Sequence, residues 1–113
     1  MRPAFTLITL VLLTAQSKAD TTNLLTFGIG QSSCAKWLST PALEIEGNDW
    51  ILGFWTGVNV GTFFAGGGRG NIGHSTDAFG IIGEVKKLCL NSPSQLVSTT
   101  ASVVFHEFVK AGK

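Results

Sequence analysis

The chain is short of charge, of sulfur and of any basic run, and each shortage closes off a class of function. Only 13% of its 113 residues are charged, with eight Lys and Arg against seven Asp and Glu. No run of Lys or Arg supplies the electrostatic footprint that phosphate neutralisation requires, so no nucleic-acid partner is expected. Two cysteines alone cannot close a tetrahedral zinc site, and neither His74 nor His106 stands at a finger-like spacing. No metal or cofactor is therefore expected. Uninterrupted apolar runs fall short of the ~20 residues of a permanent membrane helix. A hydrophobic content of 44% nevertheless belongs to a globular chain and not a disordered one.

A catalytic constellation is also missing. His106 and Glu107 are adjacent, so on a helix they point in nearly perpendicular directions and do not share a proton. His74 precedes a helix whose positive end disfavours its protonation. The serines and threonines gather at helix starts, where capping accounts for them. Glu44 and Glu46 read as linker residues, and Asp77 as a charge in the first turn of a helix. No catalytic residue is assigned, and the chain is read as a non-enzyme.

The N-terminus carries the clearest signal. Arg2, an apolar or hydroxyl run from Ala4 to Ala15, and Ser17-Lys18-Ala19 before Asp20 follow the pattern of a cleaved export signal. A retained N-terminal anchor is the alternative. Removing residues 1–19 leaves 94 residues, one small domain with a single core, and moves the net charge from +1 to −1. Membrane contact is then expected only through the signal, with a periplasmic or secreted destination. Cys34 and Cys89 both lie beyond the cleavage point, and an oxidising compartment favours an intramolecular disulfide over free thiols or an interchain bridge. Closing so long a loop contributes roughly 4 kcal/mol in the chain-entropy model.

The expected fold is all-α, a compact bundle of about four helices stapled by one disulfide. Ser32 or Ser33 caps a short first helix carrying Cys34, Trp37 and Leu38 on one face, which Pro41 ends. A second starts after Gly47-Asn48-Asp49, with Asn48 as cap, and runs apolar almost all round from Trp50 to Ala65. Its Gly53, Gly57 and Gly61 recur at spacing four and are read as a notch for a neighbouring helix. A membrane helix–helix contact is the weaker reading of the same pattern. Ser75 or Thr76 caps a third helix with Ile81, Ile82, Val85, Leu88 and Cys89 in helical register. Ser92, Pro93 and Gln95 form a capping box for a fourth, whose stripe is Val97, Ala101, Val104, Phe105 and Phe108. A strand remains open for the β-branched run from Leu96 to Val109. Between the second and third helices lies a glycine-rich loop at 65–73. Its Gly68, Gly70 and Gly73 match G-x-G-x-x-G, but without the βαβ context this carries no nucleotide chemistry.

Three segments carry a resemblance. They are Cys34 with Trp37; Trp50, Gly53, Phe54, Gly57 and Asn59; and Thr76, Asp77 and Cys89 followed by Asn91 and Pro93. Over roughly residues 30–108 the chain resembles small exported helical proteins of proteobacteria grouped around the acid-stress chaperone HdeA, and secondarily the periplasmic immunity proteins. The resemblance implies a bridge between Cys34 and Cys89 that ties the first helix to the one before the last. It also implies a partner that is another protein, either an unfolded client or a toxin. Trp50, Phe54, Trp55, Asn59 and Asp77 are the candidate partner or pocket surface. The alternative from a different class is a small enzyme or ligand carrier with a pocket beside Gly53 and Gly57, its polar groups drawn from Asn59 and Asp77. The oligomeric state is not read from the sequence.

Overall fold

The computed structural model describes residues 25–66 and 70–113. The expected leader at 1–19 and the centre of the glycine-rich loop lie outside them. Four α-helices follow a 3-10 turn at Gly28–Gln31: α1 (Cys34–Trp37), α2 (Pro41–Phe64), α3 (Ala78–Asn91) and α4 (Val97–Ala111). Among the described residues there is no strand, only an isolated bridge between Ser33 and Leu96. The all-α bundle expected from the sequence is what forms, and Leu96 to Val109 is helical despite its β-branched residues.

Helix α1 is capped as expected: the Ser33 hydroxyl accepts a hydrogen bond from the Lys36 amide. Pro41 has a different role from the one expected. It stands at the first turn of α2, where a missing N–H costs nothing, and the Thr40 hydroxyl caps that helix by accepting from the Leu43 amide at 3.2 Å. Helix α2 therefore begins at Pro41, and Gly47, Asn48 and Asp49 lie inside it. The cause is tertiary. Gly47 is where the buried Trp37 indole crosses α2, and a Cβ there would overlap that ring. The indole N–H of Trp37 donates to the Glu44 carbonyl at 3.0 Å, which fixes the crossing. Asn48 caps nothing, and its buried Oδ1 has no hydrogen-bond partner among the described residues. Glu44 and Glu46 are helical and not in a linker; Glu44 forms an ion pair with Lys86 of α3.

The N-terminus of α3 also differs from expectation. Asp77 is itself the cap, its carboxylate accepting from the Gly80 amide at 2.9 Å, and Ser75 and Thr76 precede it. At α4 the capping box does not form. Ser92 to Gln95 makes a turn closed by the Gln95 amide on the Ser92 carbonyl at 3.0 Å, and the helix starts at Val97 without a side-chain cap. The backbone of that turn serves α1 instead. The Cys34 amide donates to the Gln95 carbonyl at 2.8 Å and the Ala35 amide to the Pro93 carbonyl at 2.9 Å. In return the Val97 amide donates to the Ser32 carbonyl at 3.0 Å. Each helix start finds acceptors in the segment leading into the other, so orphan amides are satisfied across the fold and not locally.

The disulfide joins Cys34 of α1 to Cys89 of α3, with Cα atoms 5.2 Å apart and a sequence separation of 55. Both sulfurs lie in the core, and the Thr100 hydroxyl of α4 sits 3.4 Å from the Cys34 sulfur. Around this staple the largest fully buried side chains are Trp37, Ile51, Val85 and Val97. The expected α4 stripe is buried throughout: Val97, Ala101, Val104, Phe105 and Phe108 all face inward. Trp55 closes the core against two of them, edge-on to Phe105 at 4.9 Å and to Phe108 at 5.2 Å.

Candidate binding surface

The five side chains singled out from the sequence as a candidate surface are each engaged in holding the fold. Trp50 stacks on Phe54 at 5.6 Å, and its indole N–H donates to the Phe27 carbonyl at 2.8 Å. Gly30 lets the chain before α1 lie against that ring, since a Cβ there would overlap it. Phe54 meets Phe105 edge-on at 6.4 Å. Trp55 is buried and donates from its indole N–H to the Ile72 carbonyl at 2.8 Å.

Asn59 completes a clamp on the same residue. Its Nδ2 donates to the Ile72 carbonyl at 2.9 Å while its Oδ1 accepts from the Ile72 amide at 3.1 Å. One side chain thus satisfies both backbone groups of a loop residue, as a neighbouring strand would. Ile72 is held inside the core and the end of the glycine-rich loop is tied to α2. Gly73, at φ +98°, then turns the chain towards α3. Asp77 caps α3 on the exposed side. Asn59 and Asp77 are thus used separately, each on backbone, and no hydrogen bond joins them among the described residues.

The glycine notch faces the other way from the expected one. Gly53, Gly57 and Gly61 are exposed, and a Cβ at any of them would meet open space. Among the described residues no neighbouring helix lies against them. The inner side of α2 is made by Gly47, Ile51 and Trp55, about half a turn round the helix. Val60 and Phe64 share the outward arc with the glycines, and Phe64 is 80% exposed. Phe63 beside it and Phe79 at the start of α3 are also exposed, at 64% and 86%. Val60, Phe63 and Phe64 do not stand out in the sequence because the run from Trp50 to Ala65 is apolar on all sides. The available signal was angular: Gly53, Gly57, Val60 and Phe64 fall on one arc, opposite Ile51 and Trp55.

A second concave region lies along the seam of α3 and α4. A cavity of about 390 Å³ is lined by Glu84, Lys87, Leu88, Val103, Glu107 and Phe108 among others. An adjoining recess of about 480 Å³ shares Glu84, Glu107 and Phe108 and adds Ser75, Thr76 and Lys113. Acid and base alternate around it, and Glu107 already pairs with Lys110 at 2.8 Å. The hydrogen bond from Lys110, then its charge, hold the Glu107 carboxyl below the ordinary carboxylate value; slight desolvation opposes them, and His106 adds a small push in the same direction. No group of three His, Cys, Asp or Glu gathers for a metal ion among the described residues, and none of their helices is long and apolar enough to cross a membrane.

The class these features define is a disulfide-stapled four-helix domain with an apolar helix face turned outward. No protein-family model, curated protein or solved structure matches the chain.

Proposed function

We propose that this is an exported, non-enzymatic domain that binds another protein through apolar surface already presented by the folded state. The observation that carries the reading is the outward placement of Val60, Phe63, Phe64 and Phe79 on a domain whose core is otherwise closed. The Phe63 and Phe64 rings meet edge-on at 5.4 Å, and large apolar side chains clustered on the outside mark interaction surfaces more often than isolated ones do. Export is supported by the N-terminal pattern together with the buried disulfide, which belongs to an oxidising compartment.

Within the protein-binding class, a constitutive surface fits better than an acid-released one. The buried residues among those described include no Asp, Glu or His, and Thr100 is the one polar residue among them. An acid-driven release of clients needs groups whose protonation differs between closed and open states. The aromatic side chains that such a release would expose, Trp55, Phe105 and Phe108, are packed together without a titrating neighbour in the core.

Affinity capture from a periplasmic extract at neutral and at acid pH tests the reading. The expected result is the same protein partner at both, lost when Phe64 and Phe79 are changed to Ser. Capture only at acid pH would replace the constitutive surface with an acid-released one. Turnover of a small molecule by the purified domain would replace binding with catalysis.

A further inference from the structure

We propose that the fold is a redox lock: the Cys34–Cys89 bond exchanges with an outside thiol only when the whole domain unfolds, because α1, which covers it, does not open by itself.

Breaking the bond requires a thiolate in contact with one of its sulfurs. With a dithiol such as dithiothreitol, one thiolate attacks a sulfur to give a mixed disulfide and a cysteine thiolate. The second thiol then closes a ring with the first, and both protein sulfurs end as thiols carrying the two protons the dithiol gave up. In the folded domain neither sulfur is within reach, Cys34 being 0% and Cys89 1% exposed. The attacking group is also charged, and the core it would enter is apolar. The buried residues among those described include no Lys or Arg to draw an anion in. The hydroxyl of Thr100 lies 3.4 Å from the Cys34 sulfur but is already engaged, donating to the Leu96 carbonyl at 3.1 Å.

A buried bond is still reached where a segment opens locally, and α1, four residues long, is the first candidate for such a door. It is fastened on every side. Before it, Ile29 is buried and the Phe27 carbonyl accepts from the Trp50 indole N–H. Along it, the Cys34 and Ala35 amides donate to the Gln95 and Pro93 carbonyls, and the Ser32 carbonyl just ahead accepts from the Val97 amide. At its end Trp37, the largest of the fully buried side chains, fills the gap at Gly47. Its indole N–H is held by the Glu44 carbonyl.

Lifting α1 therefore withdraws a buried tryptophan from α2, releases the turn that leads into α4 and frees the segment lying on Trp50. The other end of the bond offers no easier way in. Cys89 stands in the last turn of α3, and the Ser92–Gln95 turn that follows is the one that holds α1. Each route to the sulfurs dismantles contacts of α2, α3 and α4 together, so the cover and the domain open as one cooperative unit.

The test is the rate at which dithiothreitol reduces the protein at mildly alkaline pH, in urea from zero to just below the unfolding transition, read by alkylation and intact mass. Dithiothreitol is kept low enough for the rate to be proportional to its concentration. The logarithm of the rate is expected to rise linearly with urea. Its slope should equal that of the unfolding constant of the disulfide-bonded protein, followed by tryptophan fluorescence. Gly53→Ala, on the outer side of α2, should slow reduction about fivefold, in step with its stabilisation. Gly47→Ala, which crowds Trp37, should speed it by the factor by which it raises the unfolding constant. A rate indifferent to urea, or a slope well below that of unfolding, means that α1 opens by itself and overturns the proposal. So does a Gly53→Ala protein that resists urea better than the wild type yet is reduced as fast.

Discussion

The inner and outer sides of α2 use the same residue for opposite reasons. At Gly47 the missing side chain makes room for Trp37, whose buried indole lies across the helix and donates to the Glu44 carbonyl. At Gly53, Gly57 and Gly61 it makes room for nothing among the described residues. A glycine in a helix is thus not a single signal. Its meaning depends on which arc it occupies, and that arc is defined only once the core side of the helix is known.

Substitution at Gly47 should separate the two sides most sharply. The added methyl would overlap the near side of the Trp37 ring, close to its root, and that ring is enclosed and unable to swing away. Overpacking of this kind costs roughly 1–3 kcal/mol, which exceeds the helix-propensity gain from replacing glycine. Gly47→Ala is expected to lower the urea midpoint clearly and to disturb Trp37 fluorescence. A variant as stable as the wild type would mean that Trp37 does not lie across α2 at that position.

The same change on the outer side should act in the opposite direction. Gly53→Ala adds a methyl in open space and removes a glycine from a helix interior. The expected gain is about 1 kcal/mol. Urea unfolding at micromolar concentration measures it. A loss of stability there would show that the outer face is covered by part of this chain after all.

The contrast also shows where the sequence was readable. Helix existence followed from periodicity: the stripe Val97, Ala101, Val104, Phe105 and Phe108 was visible and is buried as a unit. The pairing of Cys34 with Cys89 needed only a count of cysteines and an oxidising destination. Helix starts were less readable because their amides are satisfied at a distance. Ser92, Pro93 and Gln95 have the local chemistry of a capping box, yet the carbonyls of Pro93 and Gln95 are taken by Ala35 and Cys34 across the fold. Gly47-Asn48-Asp49 looks like a helix boundary and is helix interior, because a tryptophan from α1 requires the gap. Asn59 looked like a ligand-binding amide and is a clamp on Ile72. In each case a local pattern was overridden by a contact between residues far apart in sequence.

The smallest expected effect lies away from α2 and tests whether acid acts on the fold at all. Lys110 lowers the Glu107 carboxyl from its ordinary value on the outside of α4. A carboxyl depressed in the folded state stabilises it fully above the unfolded value, and that contribution disappears as pH falls through the folded one. Glu107→Gln should therefore lower the urea midpoint slightly at pH 7 and match the wild type in strong acid, where both chains carry a neutral side chain at that position. The pair lies on the exposed side of α4, so solvent and salt screen it, and the difference should shrink further in high salt. A midpoint that falls far more between neutral and acid pH than this pair can account for would point to a titrating group coupled to the core. It would reopen the acid-released mode of binding that the core's composition argues against.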